Sequence, residues 1–151
     1  MKLRRYQSGD YQSLLSFLKD AFDEMGNEFL RDGKDSDIRD IERVYMQNRS
    51  SFYVMDNQGE IRGCVGVRGF SDEIAELKRL YIARECRGLG LGRALCINAI
   101  NDAHNFGYKF LRLDTITKSQ AALALFKQLG FYEIARYNSD PFAEIFMEKT
   151  L

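Results

Sequence analysis

The chain has 151 residues, enough for a single domain with its own hydrophobic core, which we expect to span residues 1–151. Hydrophobic residues make up 45% and charged residues 29%, and 22 basic side chains balance 22 acidic ones, so composition gives no reason to expect nucleic acid or an anionic membrane as a partner. No apolar run approaches the roughly 20 residues that span a bilayer, and the first ten residues lack the apolar segment of a signal peptide, so we expect a cytoplasmic protein.

The first half of the chain alternates strand and helix signals. We predict a short strand at 2–6, then a helix with Asp10 at its N-cap, because apolar residues recur behind Asp10 at helical spacing until Gly26. A second helix is predicted to begin at Ser36 or Asp37, after the polar segment "RDGKDSD". The segments "SFYVMD" and "IRGCVGVRGF", joined by "NQGE", predict a hairpin.

The second half predicts strands that alternate with helices. "EIAELKRLYI" is a strand, and a glycine-rich segment then leads into a long helix from Leu91 to about Phe106. "FLRLDTI" is a strand, "SQAALALFKQLG" is a helix that Gly130 ends, and "FYEIARY" and "EIFMEKTL" are strands on either side of Pro141. The order β-α-α-β-β-β-α-β-α-β-β predicts one α/β (or α+β) layer structure around a mixed sheet.

Cysteine and histidine are too few for several kinds of site. Cys64, Cys86 and Cys96 form no CxxC pair, which argues against both a disulfide framework and a zinc site. The single histidine, His104, leaves too little material for a Ser-His-Asp triad or a histidine-rich metal site. We therefore expect no metal.

The segment "RGLGLG", residues 87–92, lies between a predicted strand and a predicted helix and is called here the glycine segment. It is not a Walker A loop, and the dinucleotide motif GxGxxG fails in both registers because its third glycine would fall on Arg93 or Leu95. The pattern R-x-x-G-x-G fits instead. Backbone N–H groups at the start of a helix bind anions, and glycines let the anion come close. An ordinary strand-to-helix turn fits the glycines equally well.

The sequence around the glycine segment resembles the GNAT acyltransferase superfamily, whose members transfer an acyl group from coenzyme A to an amine. The central motif of that family, a strand, then Q/R-x-x-G-x-G/A, then a helix, matches "ELKRLYIARECRGLGLGRAL" without insertion. A second motif, N-x-x-A-x-x-L-Y-x-x-x-G-F, resembles "SQAALALFKQLGF", where Ala122, Leu125, Gly130 and Phe131 fit. The resemblance implies a mixed, mostly antiparallel sheet of seven strands, flanked by about four helices, with two central parallel strands that splay apart.

The resemblance also implies acetyl-CoA as the co-substrate, with its pyrophosphate on the glycine segment. Its pantetheine arm is then expected between the splayed strands, paired with backbone groups as an added strand would be. A β-bulge in the first of these strands explains why its charges fall on both faces and leaves an N–H free to stabilise an oxyanion. The residues expected to contact coenzyme A are Leu80, Tyr81, Ile82, Arg87, Gly88, Leu89, Gly90, Leu91, Gly92, Arg93, Ser119 and Phe126.

Glu76 is the candidate general base. Direct attack of an amine on a thioester in a ternary complex requires that the amine lose a proton and that the oxyanion be stabilised. A carboxylate beside Ile74 and Leu77 on a central strand is costly without a role, and several family members carry a catalytic glutamate there. An ion pair with Lys78 or a nearby arginine is the alternative.

The proton donor for the leaving thiolate stays open. The tyrosine of the second family motif is replaced by Phe126 and its asparagine by Ser119. Tyr132 or Tyr137 on the next strand is one candidate and water is another. No acid is needed at all if the thiol, with a pKa of about 8–9, leaves unaided.

Three basic residues are candidates for binding the acceptor. Arg68, Lys78 and Arg79 can hold a carboxylate, which favours a small primary amine such as an amino acid. Roles on the surface or against coenzyme A explain these residues equally well. The alternatives are a protein N-terminal or lysine acetyltransferase and a non-catalytic acyl-CoA-binding module. We expect no nucleic acid or membrane partner, and we expect that the chain can form a homodimer.

Overall fold

The computed structural model describes residues 1–28 and 33–151, which form a seven-stranded sheet with helices on both faces. The strands are β1 (Lys2–Arg5), β2 (Ser51–Asn57), β3 (Glu60–Gly69), β4 (Ile74–Ile82), β5 (Phe110–Thr115), β6 (Tyr132–Ile134) and β7 (Ile145–Thr150). Their spatial order is β1-β2-β3-β4-β5-β7-β6, and β4 and β5 are the one parallel pair in it. The predicted mixed, mostly antiparallel sheet of seven strands is confirmed.

The described residues form five α-helices where the sequence predicts about four. They are α1 (Tyr11–Glu24), α2 (Ser36–Arg39), α3 (Ile41–Tyr45), α4 (Leu91–Asn105) and α5 (Gln120–Gln128). The prediction of one second helix is wrong. The backbone leaves the helical region at Asp40 and so divides that segment into α2 and α3. The Asp40 carboxylate accepts a hydrogen bond from the Arg43 N–H at 3.1 Å and so begins α3. No helix among the described residues is long and apolar enough to cross a membrane.

Asp10 lies immediately before α1, as predicted, but its side chain does not cap that helix. The carboxylate instead accepts hydrogen bonds from the Arg4 guanidinium, at 2.7 and 2.8 Å, and from the Gln7 N–H at 2.8 Å. Asp10 therefore fastens the start of α1 to β1.

Two hydrophobic clusters cover the two faces of the sheet. One joins α4 and α5 to the sheet and includes the fully buried Leu95. The other joins α1, α2 and α3 to the sheet and includes the fully buried Leu18. Val54 and its neighbour Met55 on β2 belong to different clusters, because alternate side chains of a strand point to opposite faces.

The parallel strands β4 and β5 pair over three residues only. The pairs are Ile74 with Phe110, Ala75 with Leu111, and Glu76 with Arg112. Beyond Glu76 the two strands separate, although β4 continues to Ile82 and β5 to Thr115. The predicted splaying of the central parallel strands is confirmed, and the space that it leaves is called here the gap.

The last part of the chain differs from the prediction. The strand predicted at 131–137 is only Tyr132–Ile134, because the chain then leaves the sheet as a loop over residues 135–144. The guanidinium of Arg136 donates hydrogen bonds of 2.9 Å to the carbonyls of Asp140 and Ala143 and closes this loop on itself. The loop lies over the gap, as its contacts below show.

Candidate active site

Glu76 is a buried carboxylate at the point where β4 and β5 separate. Its neighbours Ala75 and Leu77 belong to the cluster around α4, so Glu76 points to the opposite face of the sheet. The residue is 5% exposed. Its Oε2 accepts a hydrogen bond of 2.8 Å from the Tyr137 hydroxyl, and its Oε1 lies 3.5 Å from Nε of Arg68. These two partners offset the loss of water around the carboxylate.

Tyr137 comes from the 135–144 loop, and aromatic contacts hold its ring. The ring packs edge-on against Phe70 and Phe146, with centroids 5.2 and 5.5 Å apart, and the Arg112 guanidinium lies 4.9 Å from its centroid. Burial and the Glu76 carboxylate raise the pKa of Tyr137 well above its ordinary value. The phenol is therefore a stable hydrogen-bond donor at neutral pH but a poor acid toward a thiolate, whose thiol has a pKa of about 8.5.

Glu76 belongs to a row of polar side chains that crosses five strands on one face. Register pairs link Arg68 to Glu76, Glu76 to Arg112, Arg112 to Glu148, and Glu148 to Tyr132. The Nε of Arg112 lies 2.8 Å from Oε2 of Glu148, and the Tyr132 hydroxyl donates to the other oxygen of Glu148 at 2.5 Å. Charges alternate in sign along the row, so each carboxylate has a basic neighbour.

The row also corrects the prediction that Tyr132 serves as a proton donor. Tyr132 lies three strands from Glu76, and strands are spaced about 4.8 Å apart, so about 14 Å separates the two backbones. Its hydroxyl is bound to Glu148 and lies 3.2 Å from the Thr150 hydroxyl. The structure thus brings Tyr137, and not Tyr132, to Glu76.

The predicted β-bulge in β4 is confirmed. The register between β3 and β4 shifts between Cys64 and Gly66, so two residues of β4, Arg79 and Leu80, face one residue of β3. Arg79 adopts a φ of +57°, in the left-handed region that side chains with a Cβ rarely occupy. A bulge leaves one residue out of the ladder, here beside the gap.

The structure corrects the prediction that Arg79 binds the acceptor. Its guanidinium bonds Asp37 at 2.6 and 3.0 Å, Asp35 at 2.8 Å and the carbonyl of Lys34 at 3.0 Å. The side chain is only 11% exposed. With most of its donors paired inside the protein, Arg79 has an internal function.

A cleft of about 800 Å³, open to solvent, lies beside Glu76 and is called here the Glu76 cleft. Two of the predicted acceptor-binding residues, Arg68 and Lys78, line it. Four basic side chains and two acidic ones lie on its walls: Lys34, Arg43, Arg68, Lys78, Glu76 and Asp140. This excess of positive charge favours a ligand that carries an anionic group.

Asp114 and Asn138 are polar residues at the gap that the sequence analysis missed. Asn138 Nδ2 donates a hydrogen bond of 2.7 Å to Oδ2 of Asp114, and Nζ of Lys78 lies 3.7 Å from the same oxygen. Asp114 and Lys78 therefore face each other across the separated strands. A usable signal was present, because Asp114 follows Arg112 by two residues on β5 and so shares its face.

The glycine segment has glycines of two kinds. Gly88 and Gly90 have φ of +78° and +79°, so the backbone itself requires glycine there. Gly92 has no such φ, and a Cβ on it would lie 3.6 Å from the nearest atom, a side-chain carbon of Leu125, which is ordinary contact. Glycine inside a helix costs about 0.5–1 kcal/mol relative to alanine. Neither conformation nor packing explains Gly92, so close approach of a ligand to the start of α4 fits it.

Arg87, at the start of the glycine segment, is paired with the end of α1. Its guanidinium forms two hydrogen bonds to the Glu24 carboxylate, at 2.6 and 3.0 Å. This hydrogen bonding lowers the pKa of Glu24. A phosphate bound by Arg87 would therefore compete with Glu24.

The other residues predicted to contact coenzyme A differ in position. Leu80, Tyr81 and Ile82 lie on the part of β4 that has no partner across the gap. Leu89 is exposed within the glycine segment and Arg93 is exposed directly after it. Leu91 begins α4, and the Ser119 side chain precedes α5 without capping it. Phe126 is a correction: its ring is 3% exposed and packs edge-on against Phe131 with centroids 5.7 Å apart, so it belongs to the core.

No group of three or more His, Cys, Asp or Glu side chains within residues 1–28 and 33–151 is arranged to hold a metal ion. The site around Glu76 consists of one buried carboxylate, its phenol and guanidinium partners, and the backbone of the gap. This set can accept and orient a proton beside a bound anion.

The chain is similar in sequence to proteins named as N-acetyltransferases. The chain is 31% identical over 103 residues to the uncharacterized N-acetyltransferase YjgM of Escherichia coli, an alignment that covers 66% of this chain and 62% of that protein. The chain spans 62%, 52% and 32% of the lengths of the first three curated relatives that it matches.

Solved structures share the whole fold. An acetyltransferase of the GNAT family from Staphylococcus aureus Mu50 superposes with a TM-score of 0.89 at 20% identity, covering 99% of this chain and 98% of that one. A GNAT superfamily phosphinothricin acetyltransferase from Sinorhizobium meliloti, in complex with acetyl-CoA, gives a TM-score of 0.77 at 17% identity and covers 99% and 88%. Residues 13–131 match the acetyltransferase (GNAT) family, and the chain belongs to that family.

Proposed function

We propose that the protein is an acetyl-CoA-dependent N-acetyltransferase whose acceptor is a small primary amine carrying a carboxylate, such as an amino acid. The observation that carries the proposal is the buried Glu76–Tyr137 pair at the head of the gap, beside a cleft with basic walls. Family membership supports the coenzyme, since a relative of the same fold holds acetyl-CoA.

The chain has residues suited to each part of acetyl-CoA. N–H groups of the glycine segment, together with Arg87, would hold the pyrophosphate at the start of α4. The unpaired edge of β4 at Leu80–Ile82 would pair with the pantetheine arm. Acetyl-CoA, when bound, supplies the acetyl group as a thioester.

Glu76 acts in this proposal as the general base. An acceptor amine arrives protonated, and its proton must be removed before nitrogen can attack. The carboxylate lines the Glu76 cleft and lies at the last pair before β4 and β5 separate, so it is close to both an acceptor in the cleft and a thioester in the gap. Tyr137 and Arg68 hold its two oxygens and so orient it. Since Tyr137 is a poor acid, the thiolate leaves unaided or takes its proton from water.

The basic walls of the Glu76 cleft support an acceptor with a carboxylate. Arg68 lies 3.5 Å from Glu76 and Lys78 lies 3.7 Å from Asp114, distances long enough for a ligand carboxylate to compete. Both side chains share the face of the sheet that carries Glu76, so an amine at Glu76 would place a nearby carboxylate within their reach.

The test is release of coenzyme A thiol from acetyl-CoA with a panel of acceptors. We expect free amino acids to be acetylated and the matching amino acid amides, which keep the amine but lack the carboxylate, to react at least tenfold more slowly. Release with peptides alone would assign a protein acceptor. Binding of acetyl-CoA without release for any amine, in a protein that is folded, would identify a non-catalytic acyl-CoA-binding module.

A further inference from the structure

We propose that Asp35 and Asp37 are positioning residues that hold the β4 bulge through Arg79. The inference rests on the proposed acetyl transfer, in which the thioester carbonyl is polarised by a backbone N–H of the bulge. A donor of this kind works only if it is aimed before the reaction begins, so what fixes the bulge affects the rate.

The bulge has a conformation that Arg79 does not favour by itself. Among the described residues three non-glycine residues have positive φ: Arg49, Gln58 and Arg79. Gln58 lies in the tight turn between β2 and β3, whereas Arg79 lies inside a strand. A residue with a Cβ stays in this region when its surroundings force it to do so.

Both ends of Arg79 are held from outside β4. Its guanidinium is bound by Asp35 and Asp37, which are 1% and 7% exposed. Asp37 is itself fixed by the hydroxyl of the fully buried Tyr45, at 2.5 Å. On the backbone side, the Cys64 thiol donates a hydrogen bond of 3.1 Å to the Arg79 carbonyl.

The same cluster reaches the wall of the Glu76 cleft. Nζ of Lys34 lies 2.7 Å from Asp35, and the Lys34 carbonyl accepts a hydrogen bond from Arg79. Lys34 also lines the Glu76 cleft. A chain of ionic contacts therefore connects the acceptor side of the molecule to the strand that would face the acetyl group. Of its two carboxylates, Asp37 lies on α2 and Asp35 immediately precedes that helix.

Two substitutions distinguish the effect of the side-chain contacts of Arg79 from the effect of the unfavourable φ at residue 79. Arg79→Gly makes the positive φ easy but removes the contacts to α2. Asp37→Asn keeps the shape of the side chain but removes its charge. Gln58→Gly is the matched control, since it relieves a φ of +54° in the turn between β2 and β3 and touches no contact of Arg79.

We expect Arg79→Gly and Asp37→Asn each to lower kcat for acetyl transfer at least tenfold while KM for acetyl-CoA changes less than threefold. The double variant should be no slower than the worse single one, because both act through one contact. Gln58→Gly should keep the wild-type kcat. A folded Arg79→Gly or Asp37→Asn enzyme with wild-type kcat overturns the inference.

A second readout uses the free protein and needs no turnover. The φ of residue 79 can be followed by its backbone chemical shifts and its three-bond HN–Hα coupling in wild type, Asp37→Asn and Asp35→Asn. We expect residue 79 to leave the left-handed region in the Asp37 variant. A left-handed residue 79 in both aspartate variants overturns the inference, whether or not the wild type is active. A wild type that acetylates no amine overturns the proposed function instead.

Discussion

The Tyr137 hydroxyl donates a hydrogen bond of 2.8 Å to Oε2 of Glu76, although the two residues lie 61 positions apart in the sequence. The contact exists because the chain leaves the sheet after β6 and returns over the gap before β7. It joins the one buried carboxylate of the central strand to a loop that also lines the cleft, and it gives that carboxylate a defined orientation.

Removing this hydroxyl tests its contribution directly. We expect Tyr137→Phe to lower kcat about tenfold with a smaller effect on KM, because Glu76 loses the donor that orients it. Tyr132→Phe is a matched control, since it removes a phenol bonded to the other buried glutamate of the same row. The measurement is the steady-state kinetics of both variants. A larger loss of kcat for Tyr132→Phe than for Tyr137→Phe would contradict the role of Tyr137 in orienting Glu76.

The role of Glu76 as base makes a prediction about pH. Glu76→Gln should lower turnover strongly at neutral pH and less at high pH, where free amine is already abundant. The measurement is the pH dependence of kcat/KM for both enzymes with one amino acid. Two profiles that run parallel over the whole range would remove Glu76 as the base.

Gly92 should be required for coenzyme A and not for folding. Gly92→Ala places a methyl group in ordinary contact with Leu125 and improves a helix, so we expect a melting temperature equal to or above that of the wild type. The same methyl group obstructs a pyrophosphate at the start of α4, so affinity for coenzyme A, measured by calorimetry, should fall at least tenfold. Unchanged affinity would separate Gly92 from phosphate binding.

Glu24 should compete with coenzyme A for Arg87. Glu24→Gln removes the negative charge that Arg87 bonds, so we expect coenzyme A to bind a few-fold more tightly at low ionic strength. Arg87→Gln should weaken binding, and salt should reduce both effects. If Glu24→Gln binds coenzyme A no more tightly than the wild type at either low or high salt, Arg87 stays bonded to Glu24 when the coenzyme is present.

The family motif has a tyrosine at the position of Phe126, but the burial of this ring predicts that a tyrosine would destabilise this protein. A hydroxyl on this ring would be enclosed by the core without a partner, so we expect Phe126→Tyr to lower the free energy of unfolding by about 1–3 kcal/mol. Phe142→Tyr, at a ring that is 57% exposed, is the control and should leave stability unchanged. Higher turnover in Phe126→Tyr, with stability retained, would show that the ring reaches the coenzyme.

Most of the fold could be predicted from the sequence, because the patterns that indicate helices, strands and turns are local. Helical spacing behind Asp10, glycines at 88–92 and the hairpin pattern of β2 and β3 each depend on neighbours along the chain. The break between α2 and α3 at Asp40 was not predicted, because an aspartate that caps a helix looks, inside a helical pattern, like an ordinary surface residue. The family motifs added the gap between β4 and β5, which no local pattern indicates.

Parts of the site that depend on distant partners could not be predicted in the same way. Apolar residues continue beyond Ile134, so nothing marked the point at which the chain leaves the sheet and carries Tyr137 to Glu76. Arg79 looked like a ligand-binding residue because a charge in a strand reads the same whether its partner is a substrate or Asp37, 42 positions away.

The self-closed loop at 135–144 has a consequence for how acceptor preference changes among relatives. Arg136 ties the loop to its own carbonyls and Tyr137 anchors it on Glu76, while Asn138 and Asp140 line the cleft. Exchanges at the exposed positions of a loop are tolerated better than exchanges in the packed core. We therefore expect a change of substrate among relatives to begin at residues 138–141, and an engineer who exchanges these residues and keeps Tyr137 leaves Glu76 and its partner in place.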